Sequence, residues 1–214
     1  MVVVIVVSLL AAMAVPSMIR ARDDRHAYNN SQEVAQLLRA ARLRAIGRGG
    51  AVAVSMTASG SADRGTFQAF EAVTANPTSN GTAPTDDANN RTPIASCLAP
   101  NWSSAPPTGN ALPLDGRNFN FNLDVTLDFQ TSIKLNYVDR TGTQNNAGVA
   151  AAWVCFTPAG RAYVSSGGTP AFNAGNQFID LDICMMRGGL CPSGIGLQRH
   201  VLVPPAGVAR LYSR

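Results

Sequence analysis

The hydrophobic pattern divides the chain at Arg20. Residues 1–19 are apolar apart from Ser8, Pro16 and Ser17, and no charge precedes Arg20. The fifteen residues before Pro16 would cover about 22 Å as a helix, against about 30 Å for a bilayer core. A signal peptide needs a basic start, and a helix buried in a soluble body is seldom apolar on every side. We therefore predict a transmembrane or filament-core helix over 1–19, slightly short for a full span.

An amphipathic pattern continues this helix over 20–48. Apolar residues recur at spacings of three and four and form one stripe, which we expect to be buried: Val34, Leu37, Leu38, Ala41 and Ala45. The arginines mostly lie on the other face, which we interpret as solvated, with an anionic partner as the alternative: Arg39, Arg42, Arg44 and Arg48. Glycines at 47, 49 and 50 predict the end of the helix.

After Gly50 the hydrophobic period changes from about 3.6 to 2, which is typical of strands. We predict strands at 51–57, 66–73, 119–129, 133–137, 149–156, 161–165, 177–184, 197–203 and 208–212. Residues 75–116 have no period and are rich in Pro, Asn, Thr, Ser and Gly, so they predict a long loop. The expected fold class is α+β: a long N-terminal membrane or filament helix (1–48) packed on a mostly antiparallel sheet or β-sandwich (49–214).

Charge adds little to this picture. The net charge of the 214 residues is +4. Between Arg20 and Arg48 seven arginines face three acidic residues, which already accounts for +4. The rest of the chain is therefore near neutral, and the composition does not indicate a broadly basic, nucleic-acid-binding body.

Four cysteines, at 97, 155, 184 and 191, fit two disulfides in an oxidising compartment. Of three connectivities, we predict Cys184–Cys191, because six residues with two glycines allow the chain to reverse between them. Cys97–Cys155 then follows and would tether the long loop, together with Trp102, to a core strand. Four reduced thiols are the alternative.

Catalytic motifs are not found in the sequence. It lacks a Gly-x-Ser-x-Gly elbow, a phosphate loop and a His-Glu-x-x-His motif. Asp180 and Asp182 share one face of a predicted strand, where calcium binding is the alternative to solvated carboxylates. We expect no enzyme activity, no cofactor and no metal site.

The N-terminal pattern, Met1-Val-Val-Val-Ile-Val-Val-Ser-Leu-Leu-Ala-Ala-Met-Ala-Val-Pro16, closely resembles the N-terminal helix of type IV pilins and type II secretion pseudopilins. Aligned on Pro16 and the Ala-Ala pair, it places Met1 several residues inside the family's mature helix. The family's leader, cleavage point and glutamate thus have no counterpart here, and we expect the true start to lie upstream. The helix residues that the resemblance assigns to the filament or membrane are Val4, Val7, Leu10, Ala11, Val15 and Pro16.

Two further stretches resemble the H-type pseudopilin and FimT-like branch. One is Trp153-Val-Cys-Phe-Thr-Pro-Ala-Gly-Arg-Ala-Tyr163, with a Phe-x-Pro-x-Gly-Arg turn, and the other is the helix end over 37–50. The C-terminal stretch 200–210 is similar to the closing hairpin of that branch.

The resemblance implies a minor pilin or pseudopilin, a structural subunit of a type II secretion pseudopilus or a type IV pilus, with the family's methylation. It implies other pilins or pseudopilins as partners through the N-terminal helix. It also implies a single-pass inner-membrane position before assembly, with a periplasmic globular domain. One alternative is a pilus-tip protein that binds DNA for uptake through Arg199, Arg210 and Arg214. Another is a membrane-anchored periplasmic binding domain unrelated to filaments.

Overall fold

The computed structural model describes residues 2–59, 64–74, 92–103, 109–118, 129–138, 144–149, 151–172, 178–187 and 199–213. Within these ranges the helix α1 begins at Val2 and ends at Arg48. Gly49 has a φ of 69° and its backbone N–H donates to the carbonyl of Ala45 over 3.1 Å. This left-handed glycine cap is the predicted helix end.

The strands form two antiparallel sheets of five strands each in the described part of the chain. In chain order they are β1 (Val52–Ser59), β2 (Arg64–Ala72), β3 (Ala111–Asn118), β4 (Phe129–Val138), β5 (Gln144–Val149), β6 (Ala151–Phe156), β7 (Ala162–Ser166), β8 (Phe178–Arg187), β9 (Arg199–Val203) and β10 (Arg210–Ser213). The first sheet has the order β3-β2-β1-β6-β7, and the second has the order β10-β9-β8-β4-β5.

Strands β1 and β6, at the centre of the first sheet, are buried on both faces. Val52, Val54 and Met56 of β1 join the main core, which also contains residues of α1 and of the second sheet. Ala53 of β1 and Ala51, which directly precedes the strand, join a smaller cluster on the other face, with Cys97, Trp102, Trp153, Cys155 and Phe172. Because successive side chains of a strand point to opposite faces, the near-continuous apolar runs of β1 and β6 serve two clusters at once.

The apolar stripe of α1 lies in the main core, as predicted. Val34, Leu38 and Ala45 are fully buried, Ala41 is nearly so, and Leu37 packs against the same cluster half-buried. That cluster includes Val52 of the first sheet and Val201 of the second. The helix therefore contributes one wall of a core that both sheets share.

The predicted fold class is wrong. The structure is mostly β, with two antiparallel sheets, and the part of the helix that packs into the core is short, from Ser31 to Arg48. In the residues that the structure describes, no helix is both long enough and apolar enough to cross a membrane, so the membrane helix predicted over 1–19 is not found among them. The helix covers only part of a core to which both sheets contribute, so the two sheets and not the helix determine the class.

The predicted strands agree with the observed elements more closely than the predicted loop does. Eight of the ten described strands were predicted, all except β3 and β5, and the strand predicted at 133–137 lies inside β4. The loop prediction over 75–116 is wrong at its end, since β3 begins at Ala111. Pro113 obscured this strand, and the sheet tolerates it because β3 lies at the edge. Strand β5 was missed because its first residues, Gln144-Asn-Asn, are polar. The rest of the predicted strand over 119–129 and most of the predicted loop cannot be compared, because the described residues do not include 75–91, 104–108 and 119–128.

The disulfide between Cys97 and Cys155 is present as predicted, across 58 residues of sequence. It joins the segment 92–103 to β6. Both cysteines are buried in the smaller cluster. The other predicted pair cannot be described, because Cys191 and the side chain of Cys184 lie outside the described residues.

We expect Leu38→Ala to lower the free energy of unfolding by about 2–5 kcal/mol, because a fully buried leucine leaves a cavity. The matched control is Leu43→Ala on the same helix, where the side chain is 65% exposed and the change should be small. Urea unfolding of both variants measures this. Equal effects of the two substitutions would contradict the packing of α1.

Replacing Cys97 and Cys155 together by Ala should lower the free energy of unfolding by about 4 kcal/mol in the chain-entropy model. Adding a reductant to the native protein should produce at least this loss, and its effect on the double variant should be clearly smaller, since only the predicted Cys184–Cys191 pair is left to reduce. If the reductant destabilised the double variant as much as the native protein, the stabilisation lost on reduction would come from another disulfide.

Candidate assembly interface

The N-terminal part of α1 exposes large apolar side chains. Val3 is 74% exposed, Val15 54% and Met18 72%. Before Asp24 the structure describes the burial of four side chains, which are these three and Ala21. All four are exposed to solvent. Val15 and Met18 are three residues apart and so share one helix face, and we take this exposed apolar end of the helix as the candidate interface.

Six residues of this helix are predicted to contact the filament or the membrane. All of them lie in α1, and Val15 is among the exposed residues. The side chains of Val4, Val7, Leu10, Ala11 and Pro16 lie outside what the structure describes. The assignment of the six residues to a filament therefore stays a prediction.

Arg44 and Arg48 fasten the last turns of α1 to β2. The carboxylate of Glu71 is completely buried, and both arginine side chains are about half exposed. Arg44 donates through Nε over 2.8 Å and lies within 2.7 Å through Nη2, both to Oε2. Arg48 donates through Nε to Oε1 over 3.0 Å. Glu71 thus has two cationic partners, which a buried carboxylate needs to offset its desolvation.

Arg39 and Arg42 hold the same helix to two turns of the body. Arg42 Nε donates to the carbonyl of Gly160 over 3.1 Å, and Arg39 donates to the carbonyl of Ala209 over 3.3 Å. Gly160 and Gly207 both have a φ of 77°. A Cβ on Gly207 would overlap the Gly160 carbonyl oxygen, and one on Gly160 would lie 2.8 Å from Arg42 Nη2. The glycines therefore allow the two turns and the guanidinium to meet.

These contacts correct the interpretation of the arginine face as a solvated one. All four arginines are partly exposed, but each binds a group of the body: Arg39, Arg42, Arg44 and Arg48. An anionic partner is not needed to explain them. We call this set of contacts the arginine clasp.

A further contact lies nearer the N-terminus of the helix. Arg199 of β9 binds both carboxylate oxygens of Asp24, over 3.1 and 3.2 Å. Its guanidinium carbon also lies 5.3 Å from the centre of the Tyr28 ring, within cation–π range. Arg199 was a candidate DNA contact, and here it holds the helix. Of the other two candidates, Arg210 is exposed and Arg214 lies outside the described residues.

Beside this contact is a buried polar group on the second sheet. Tyr212 Oη donates to Asp180 Oδ2 over 2.7 Å, and His200 Nδ1 lies 3.4 Å from the same oxygen. The His200 and Tyr212 rings stack with centroids 4.7 Å apart. Asp180 is therefore not the solvated carboxylate we expected, and the side chain of Asp182 lies outside the described residues. No cluster of three or more metal-ligating side chains occurs in the part of the chain that was described.

Sequence reasoning missed Glu71. A signal was present: one carboxylate stands in the otherwise apolar and small run Phe70-Glu-Ala-Val73, and two arginines four residues apart end the helix. Residues at i and i+4 share a helix face, so Arg44 and Arg48 could reach one partner together. Nothing local indicates which strand supplies that partner.

The buried ion pair can be tested by removing its cations. We expect Arg44→Met with Arg48→Met to lower the free energy of unfolding by about 3–5 kcal/mol, because Glu71 is left buried without a partner. Adding Glu71→Met should restore most of the loss. If the double variant unfolds at the urea concentration of the native protein, the clasp is not what stabilises Glu71.

Comparison with family models, with curated proteins and with solved structures finds no match to this chain. The resemblance to pilins and pseudopilins therefore rests on the sequence motifs.

Proposed function

We propose that the protein is a structural subunit of the minor pilin or pseudopilin kind, which joins a type IV pilus or a type II secretion pseudopilus through the N-terminal part of α1. The observation that carries the proposal is the exposure of Val3, Val15 and Met18 on a helix whose other end is fastened into the body. The partners are the corresponding helices of other subunits.

Burial of these side chains is the driving force for assembly. A valine or methionine side chain contributes about 1.5–3 kcal/mol when it moves fully from water into an apolar contact. The segment 2–19 holds no charge, so neighbouring helices could pack there without burying an ion. Charges begin at Arg20, and the first described contact of the helix with its own body follows at Asp24.

Contacts between the helix and the body fix the orientation of the apolar N-terminal end. The arginine clasp and the Asp24–Arg199 ion pair hold α1 at several points between Asp24 and Arg48. Fixing a binding element before it binds lowers the entropy lost on association. Because the helix is fixed to the body, the packing of the helix in the filament also sets the position of the body.

The Cys97–Cys155 disulfide supports a location outside the reducing cytosol. We propose the periplasm and then the filament. The neutral body and the use of Arg199 within the fold do not favour DNA binding as the main task.

The test is self-association of the full chain in mild detergent, measured by sedimentation velocity. We expect concentration-dependent oligomers, and we expect Val15→Asn with Met18→Asn to weaken association about tenfold or more. Bismaleimide cross-linking of a Met18→Cys variant should join two copies at this position.

The matched control is Leu98→Asn. Leu98 is 54% exposed, as Val15 is, but it lies in the disulfide-linked segment 92–103 rather than on α1, so its replacement should leave association unchanged. A native chain that stays monomeric at every concentration, or equal weakening by Leu98→Asn, would contradict the proposal.

A further inference from the structure

Near its C-terminal end α1 exposes two large apolar side chains on its outward face. Leu43 is 65% exposed and Ile46 is 44% exposed. They lie three residues apart and so share a side of the helix. Leu38 and Ala45, on the side that faces the core, are fully buried. The exposed pair is therefore not needed for the packing of the helix and is available to a partner.

Two turns of the body repeat one short apolar sequence. Pro-Ala-Gly occurs at 158–160 and again at 205–207. In each turn the glycine N–H donates over 2.8 Å to the carbonyl three residues earlier. The alanine of each turn is exposed, and neither turn contains a charged residue. The two turns thus present small apolar side chains to solvent.

The arginine clasp places these turns beside the outward face of the helix. Arg42 binds a carbonyl of the first turn, and Arg39 binds the carbonyl of the residue after Val208. Ile46 follows Arg42 by four residues, and Leu43 follows Arg39 by four, so each apolar side chain shares a side of the helix with one of the two arginines. Val208, just after the second turn, is 43% exposed. We call the surface formed by Leu43, Ile46, Val208 and the two turns the turn patch.

The turn patch lies on the same side of α1 as the apolar N-terminal end. Leu43 follows Met18 by 25 residues, close to seven turns of about 3.6 residues, so both side chains point the same way. About 37 Å of helix separates them. Because α1 is continuous from Val2 to Arg48, its N-terminal end cannot fold back onto the patch of the same molecule. An N-terminal end that covers the patch has to come from a second copy.

We infer that the turn patch binds the apolar N-terminal end of α1, residues 2–19, of a second copy. The inference rests on the proposed function and names the surface that receives the helix end. A filament needs contacts between two different surfaces, because a contact between identical surfaces closes at a pair. The helix end and the turn patch are two such surfaces on one chain. Residues 2–19 contain no charge, so they can cover an apolar patch without removing an ion of their own from water.

Photocross-linking identifies the occupant of the patch directly. In an unlabelled chain p-benzoylphenylalanine takes the place of Leu43, and this chain is mixed in mild detergent with an equal amount of ¹⁵N-labelled native chain and irradiated. Mass spectrometry after trypsin cleavage should find the labelled peptide that ends at Arg20 joined to position 43. The matched control carries the photoreactive residue in place of Leu98, which is 54% exposed, and should not capture this peptide.

Sedimentation velocity measures what the patch contributes to association. We expect Leu43→Asn with Ile46→Asn to weaken association of the full chain about tenfold or more, and Leu98→Asn to leave it unchanged. Urea unfolding checks that the patch variant keeps its fold, and the cross-link at position 43 does not depend on that variant.

A mixture of two variants tests the head-to-tail geometry. The patch variant keeps an intact helix end, and the variant with Val15→Asn and Met18→Asn keeps an intact patch. Mixed in equal amounts, the two should form pairs more strongly than either does alone, and the pairs should not grow into longer chains, because each pair has no second intact contact to offer.

The outcomes separate this inference from the proposed function. Capture of residues 39–48 of the labelled copy instead of its N-terminal peptide would overturn the inference alone. So would native association of the patch variant while Val15→Asn with Met18→Asn still weakens it. Capture of the N-terminal peptide from positions 43 and 98 alike would show unspecific apolar contact and would also overturn the inference. A native chain that stays monomeric at every concentration would overturn both.

Discussion

The packing of one helical stripe between two sheets is the contact on which the rest of the structure depends. Val34, Leu38 and Ala45 of α1 are fully buried in a cluster that also holds Val52 of the first sheet and Val201 of the second. Without this stripe each sheet would expose an apolar face to water, at a cost proportional to the area. The helix is thus part of the core from Ser31 onward, and its earlier residues extend from an element that is already fixed.

Polar contacts add orientation to this apolar packing. Two arginines of the helix bind the buried carboxylate of Glu71. A buried ion pair of this kind is weak evidence for stability, but it can fix the position of the helix against the sheet. We take the arginine clasp as the device that selects one rotation of the helix, since Arg39 and Arg42 bind carbonyls that lie in fixed turns. A subunit that assembles through the far end of the same helix requires such a fixed rotation, because it determines which surface of the body faces a neighbour.

Much of this fold could be predicted from local patterns, and the failures have physical causes. The spacing of Leu38, Ala41 and Ala45 predicted the buried helix face, because periodicity reports burial directly. The edge strand β3 was hidden by Pro113, which costs nothing where no neighbour needs its N–H. The class was misjudged because the helix was treated as an equal layer against one sheet, whereas it joins the core of two sheets only from Ser31 onward. The partner of Glu71 and the burial of Trp102 and Trp153 in one cluster depend on contacts far apart in the sequence, which no local pattern encodes.

Native-state hydrogen exchange tests most directly whether α1 is an integral part of the core. The backbone amides of 34–48 and those of β1 and β9 are followed at increasing, sub-denaturing urea concentrations. The helix and both sheets should exchange with one common opening free energy and one urea dependence, since removal of the helix uncovers both sheets. Exchange of the 34–48 amides at a clearly lower free energy, while β1 and β9 stay protected, would contradict it.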